Sequence, residues 1–202
     1  VDLNLIKWYI KAGLQKNKLV TTRIPKNFDL TEFCSICDKL GWLNNRSPEA
    51  LKFNEVAFWG TFWNRKLISI SGCQYVPEIS DNTYRILFRG AQLPEFNKVF
   101  STMSRYHFNS LPFYCHALPA MKWAGLKNNF VITTSAEYDR SGKMGRTHRA
   151  LELMAKLGLV TYKGIQKVSY TDQAVWQVNV KTYMEKRKNA KMEQNPLFTY
   201  NG

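Results

Sequence analysis

Apolar residues at Leu3, Ile6, Ile10 and Leu14 recur at helical spacing, which predicts an opening helix. The stretch "LVTTRIP", Leu19 to Pro25, is rich in β-branched residues and stops at a proline, the signature of a short strand. A second helix follows in "LTEFCSICDKLGW", with Asp29 or Thr31 available as cap and Gly41 near its end. "NNRSPEALKF" reads as a loop with a short helix after Ser47. The middle of the chain then turns to strands: "VAFWGTFW" (Val56 to Trp63), "KLISISGCQYVPEI" (Lys66 to Ile79) and "TYRILFRGAQL" (Thr83 to Leu93). Asn64-Arg65 and "SDN" supply the turns, and links this short predict an antiparallel meander.

Helical spacing returns in "LPEFNKVFSTMSRYHFN", after which Pro112 and Pro119 predict an irregular stretch. "NNFVITTS" (Asn128 to Ser135) is a strand, "AEYDRSGKMG" a polar loop, and Arg146 to Lys156 an amphipathic helix. "LVTYKG" and "AVWQVNV" close the pattern as two strands. The succession predicts an α+β (α/β) protein with a mixed, mainly antiparallel central sheet flanked by helices. We divide it into a helical extension (1–18), one domain (19–182) and a basic C-terminal tail (183–202).

Composition narrows the function classes. With 45% hydrophobic and 14% aromatic residues the chain is globular rather than disordered. No apolar run reaches the ~20 residues of a bilayer span, and lysines interrupt the first apolar segment, so neither a membrane span nor a secretory signal is expected. Cys34-Ser-Ile-Cys37 has redox or metal spacing, yet it falls in a helical pattern with no second pair, so packing and reduced thiols in a cytoplasmic setting are the expectation. The remaining two are Cys73 and Cys115. A net charge of +14 favours polyanionic partners. The excess is concentrated between Arg140 and Lys191, where Glu152, Asp172 and Glu185 are the acids. No metal is expected, and His107 and His116, set among aromatics, read as half-buried structural residues.

In the third meander strand Tyr84, Ile86 and Phe88 share one face, Arg85, Leu87 and Arg89 the other. Arginines on a central strand need a partner, because burying them unpaired is costly. The sheet is expected to part beside the segment after Phe130, leaving a positively lined cleft. A second candidate region is "TTSAEYDRSGKMGRTHR", Thr133 to Arg149, which follows a strand and opens a helix. Lys143, Arg146, His148 and Arg149 there suit substrate or phosphate binding near a helix N-terminus, and Glu137, Tyr138 and Asp139 suit proton transfer.

The ending "HRALELMAKLGLVTYKGIQKVSYTDQAVWQVNV" fits either an acyltransferase or a winged-helix DNA reader, but the latter leaves the central meander unexplained. Over about Val20 to Val180 the chain resembles the GNAT N-acetyltransferase superfamily. "VTTRIPKNFDLTEFCSICDKL" is similar to the family's first strand and helix, "VAFWGTFWNRKLISISGCQYV" to its second and third strands, and "ALELMAKLGLVTYKG" to its Leu-Gly-Phe-like step. The resemblance implies an acetyl-CoA or other acyl-CoA cofactor, held by a Gly-rich loop after the fourth strand. "RGAQLPEFNKVF" stands there, so Arg85, Arg89, Gly90 and Ala91 become the cofactor-binding candidates. The chain departs from the pattern where no second glycine follows, where Pro94 removes a donor, and where Met154 occupies the place of the family's proton-donating Tyr. Tyr138 or Tyr162 would have to substitute.

Two functions follow. One is a GNAT-like N-acyltransferase or related group-transfer enzyme, with glutamate or aspartate taking the acceptor's proton and Arg85 and Arg89 stabilising negative charge. Its acceptor is polyanionic, such as DNA, and at the level of fold and charge it is similar to phage DNA-modification proteins of the Mom type, which would place it in a host cytoplasm. The other is a cofactor-free module of the same fold that binds nucleic acid or protein without catalysis.

Overall fold

The computed structural model describes residues 3–14, 18–39, 57–88, 111–136, 146–189 and 198–200. Helix α1 (Leu3–Ala12) precedes β1 (Leu19–Ile24) and α2 (Thr31–Lys39). The meander is β2 (Ala57–Trp63), β3 (Lys66–Tyr75) and β4 (Thr83–Phe88). Then come α3 (Leu111–Ala124), β5 (Asn129–Ser135), α4 (Arg146–Lys156), β6 (Val160–Val168), β7 (Thr171–Val178), α5 (Val180–Asn189) and β8 (Phe198–Tyr200). The strands form one sheet in the order β6-β7-β5-β4-β3-β2-β1-β8. Two of its pairings are parallel, β4 with β5 and β1 with β8, and the rest are antiparallel.

Local chemistry accounts for the boundaries. Asp29 Oδ1 accepts from the Thr31 N–H at 2.8 Å, satisfying one of the donors exposed at the start of α2. Asn64 and Arg65 both take positive φ, 49° and 67°, the backbone that lets a two-residue turn follow the strand twist. Ser169 and Tyr170 do the same between β6 and β7, extending that hairpin beyond the predicted "LVTYKG". Gly158, at φ 72°, ends α4: its N–H bonds to the Ala155 carbonyl and that of Leu159 to Met154, each at 2.9 Å. This is a Schellman stop, and Leu159 is buried behind it.

Three expectations need correction. Pro112 and Pro119 bracket no irregular stretch, for both lie inside α3. Pro112 occupies the first turn, where its missing N–H has no intrahelical partner to lose. Pro119 interrupts the interior ladder, a loss of about 3 kcal/mol, but Ala117, Leu118, Ala120 and Met121 are buried against the sheet and hold the helix in place. The segment from residue 183 is not simply a tail, since it continues α5, with Tyr183 and Arg187 buried, and includes β8, which pairs with β1. His116 is fully rather than half buried. His107 lies outside the described residues, as do the short helix after Ser47 and the helical stretch after Leu93.

The sheet separates two large apolar clusters, and a smaller one gathers Val76, Val131, Val168 and Val175. Helices α3, α4 and α5 contribute Cys115, Met121, Leu151, Met154 and Tyr183 to one, with Ile86, Phe130, Ile132 and Trp176 beneath them. Helices α1 and α2 cover the opposite face over Val20, Ile24, Phe58, Phe62 and Ile70. Among the described residues no helix is long and apolar enough to cross a membrane.

Gly60 in β2 shows how tightly the second layer fits. A Cβ there would stand 2.7 Å from Leu67 Cδ1, 3.1 Å from Phe62 and 3.3 Å from Ile24. Gly60→Ala should therefore lower stability by about 1–3 kcal/mol through overpacking, measured by urea unfolding.

Candidate active site at the opening of the sheet

Parallel pairing between β4 and β5 is brief. Thr83 faces Asn129, Tyr84 faces Phe130 and Arg85 faces Val131, and there the ladder ends although β4 continues to Phe88 and β5 to Ser135. Beyond this point β5 remains paired with β7, from Val131↔Gln177 to Ser135↔Gln173. The sheet thus opens where the sequence pattern placed the parting, just after Phe130.

Arg85 closes the paired stretch. Its register partner on β3 is Gln74, so the two side chains share a face, and its guanidinium donates to Gln74 Oε1. A second donation runs to Thr133 Oγ1 at 3.5 Å, across the opening. Thr133 stands two residues beyond Val131 and therefore on the same face. Arg85 is buried, not turned to water, and these neighbours fix a permanent positive charge at the mouth of the fork.

The next residue of β5 points the other way. Thr134 reaches the layer of α4, where its hydroxyl lies 3.5 Å from His148 Nδ1. Glu152, one turn along α4, sets a carboxylate oxygen 3.8 Å from His148 Nε2. The imidazole stands edge-on to Trp176 of β7, with ring centroids 5.3 Å apart, and Tyr162 of β6 packs on the same indole. One strand therefore carries an arginine contact on one face and a histidine contact on the other.

Of the residues singled out by sequence, the structure places Arg85 and His148 at β5. Arg146 opens α4 and Arg149 is exposed on it. Arg89, Gly90, Ala91, Glu137, Tyr138, Asp139 and Lys143 lie outside the described residues. Gln74 and Trp176 were missed as site residues, and Thr133 and Thr134, though they open the candidate stretch, were given no role in it. Strand alternation could have found the two threonines, because successive residues of one strand must face opposite layers.

A second polar cluster lies inside the core. His116 of α3 sits with Nε2 2.7 Å from Thr61 Oγ1 and Nδ1 hydrogen-bonded to Ser71. Thr61 is in turn 2.9 Å from the Thr21 hydroxyl. Burial pushes the imidazole down to about 3, so it is neutral, with one ring nitrogen donating and the other accepting. Burial raises the thiols of Cys73, to about 12, and Cys115, to about 11, which makes both inert as nucleophiles. Cys34 is likewise buried, in α2.

Neither a family model nor a curated protein matches the sequence. Solved structures with a similar chain trace include an N-acetyltransferase from Staphylococcus aureus Mu50, at 12% identity, covering 80% of this chain and 97% of that one, with a TM-score of 0.48. An aminoglycoside acetyltransferase in complex with coenzyme A and kanamycin is similar at 11% identity over 84% and 99%, with a TM-score of 0.47. An uncharacterized protein from Bacillus halodurans is similar at 10% identity over 88% and 92%, with a TM-score of 0.49.

His116 makes stability depend on pH. Its folded value of about 3 lies below the ordinary 6.5, so the unfolded chain binds the extra proton between them. The stabilisation is whole above pH 6.5 and falls on acidification towards pH 3, by up to about 1.4 kcal/mol per pH unit. In His116→Leu this one-proton component should vanish from urea-unfolding curves measured across that range, while stability at neutral pH drops because Thr61 and Ser71 lose their partner.

Proposed function

We propose that this protein is a GNAT-type N-acyltransferase that moves an acyl group from an acyl-CoA thioester to an amine on a polyanionic acceptor such as DNA. The observation that carries the reading is the opening of the sheet after Arg85↔Val131, with a buried guanidinium held beside it. A cleft between parallel strands admits a substrate to backbone and side chains that a continuous ladder would occupy. The guanidinium's charge fits an anionic group at that place. The sequence resemblance from Val20 to Val180 adds its own support, and so does the excess of basic residues beyond Arg140.

A bound acyl-CoA would supply an acyl carbon activated by its thioester. Arg85 is assigned to stabilise negative charge, together with Arg89, Gly90 and Ala91 of the following segment. Lys143, Arg146 and Arg149 are assigned to the acceptor's phosphates, and Glu137, Tyr138 and Asp139 to proton transfer. Action in a host cytoplasm, as a phage DNA-modification protein, belongs to the same reading. A cofactor-free nucleic-acid module draws on a different observation, the exposed Lys181 and Lys188 of α5.

Acetyl-CoA should raise the melting temperature. At a hundredfold excess over Kd the gain is about 2.7 kcal/mol, roughly 5–11 °C for a chain of this size. Arg85→Met should lose most of that shift, and no shift at millimolar acetyl-CoA counts against the transferase.

Duplex DNA should bind with an affinity that falls linearly in log–log form as salt rises. Salt-sensitive DNA binding without an acetyl-CoA shift would favour the cofactor-free module.

A further inference from the structure

The contact between Thr134 and His148 has a composition that packing alone does not require. A hydroxyl, an imidazole and a carboxylate stand in series, Thr134 Oγ1 at 3.5 Å from Nδ1 and Glu152 Oε1 at 3.8 Å from Nε2. Thr134 and His148 are more than nine-tenths buried, at 7% and 5% exposure, whereas the Glu152 side chain is 40% exposed. The series therefore runs from the interior of the opened sheet towards solvent. Thr134 lies three residues beyond Val131, the last residue of β5 paired with β4, so it belongs to the stretch from which β4 has departed.

Two neighbouring groups sharpen the assignment. The Trp176 indole packs edge-on against the imidazole, and its buried N–H has no acceptor among the described residues. A buried donor is costly to leave unsatisfied, and a bound molecule carrying an acceptor atom would remove that cost. Tyr162, partly exposed, covers the same indole at 4.7 Å and is the titratable group that β6 brings to this side. On α4 itself a carboxylate near Nε2 favours the tautomer with the proton there, which turns the Nδ1 lone pair to the Thr134 hydroxyl.

We propose that Thr134, His148 and Glu152 form the chain that takes the proton from the acceptor amine. This rests on the acyltransfer reading above and, within it, gives the proton transfer to these three residues in place of Glu137, Tyr138 and Asp139. As the amine nitrogen bonds to the acyl carbon, the C–S bond breaks and its electron pair leaves with sulfur. The proton lost by nitrogen passes to Thr134 Oγ1, and the hydroxyl's own proton passes to His148 Nδ1. The imidazolium so formed is stabilised by the Glu152 carboxylate, and its proton is returned to the thiolate, directly or through water. Thr134 is the group that meets the acceptor; His148 and Glu152 act through it.

The test combines spectroscopy of the free protein with the rate of thiol release from acetyl-CoA, duplex DNA serving as acceptor. In the wild type, ¹⁵N signals of the neutral His148 ring should report the proton on Nε2, and Glu152→Gln should weaken that preference. The rate should fall about 10²–10⁴-fold in His148→Gln, and the acidic limb of its pH profile should disappear. Thr134→Val should be comparably slow, and Thr134→Ser should restore most of the rate. Glu152→Gln, a surface-facing and nearly isosteric change, should lower the rate less than His148→Gln does, with the fold intact. A wild type that transfers the acyl group while His148→Gln keeps its rate and pH profile overturns the proton chain and leaves the transferase standing. An Nε2 proton preference that is absent, or a rate unchanged in Glu152→Gln, overturns it as well. A wild type that neither releases thiol nor gains stability with acetyl-CoA removes both proposals together.

Discussion

Parallel strands hold together only as long as their slanted hydrogen bonds stay in register. In this protein the register between β4 and β5 lasts from Thr83↔Asn129 to Arg85↔Val131. The rest of the architecture is arranged around that short ladder. On one side, β1 to β4 form a continuous antiparallel surface; on the other, β5 is tied to β7 and β7 to β6. The helices α3 and α4 contribute to the same apolar cluster, which spans residues of both halves of the sheet. A shared core thus joins what the backbone bonding begins to separate. The Arg85 donation to Thr133 crosses the same gap with a polar contact.

Much of this was legible along the chain. Helix α4 runs from Arg146 to Lys156 as its periodicity required, because its apolar stripe is clean and Gly158 supplies the stop. The meander was legible because β-branched and aromatic runs are divided by turn residues, and Arg85 was marked by sharing a strand with apolar neighbours. Helix α3 was misread because proline is a local veto and burial is a tertiary override. Helix α5 was hidden by its lysines, although Val180, Tyr183, Met184 and Arg187 follow a helical period in which the arginine takes an interior place. The Thr134–His148 contact depends on which residue of β5 faces α4, and the Arg85–Thr133 contact on how far β5 is paired with β4. Register is a property of two strands together, so neither contact could be read from one segment.

The interior histidine carries a related lesson. His116 draws Thr61 from β2 and Ser71 from β3, and Thr61 reaches Thr21 on β1, so a helix is fastened to the sheet by directional bonds as well as by apolar contact. Apolar packing tolerates sliding; a neutral imidazole between two hydroxyls does not. That anchor fixes α3 on the half of the sheet opposite His148. The two histidines thus differ by environment: one is enclosed and paired to hydroxyls from two strands, the other has a partly exposed carboxylate within reach.

The short strand β8 has a further consequence. By lying parallel to β1 from Leu19↔Phe198 to Thr21↔Tyr200, it occupies a rim that would otherwise offer bare amides and carbonyls to another molecule. The far rim is β6, where Lys163 and Lys167 are exposed and the register shifts between Tyr162 and Ile165, around Gly164. Charge and irregularity there discourage polymerisation through strand addition. One border ends in a strand of only three residues and the other is blunted by lysines, so the protein guards a wide sheet against fibrous self-association by two unlike means.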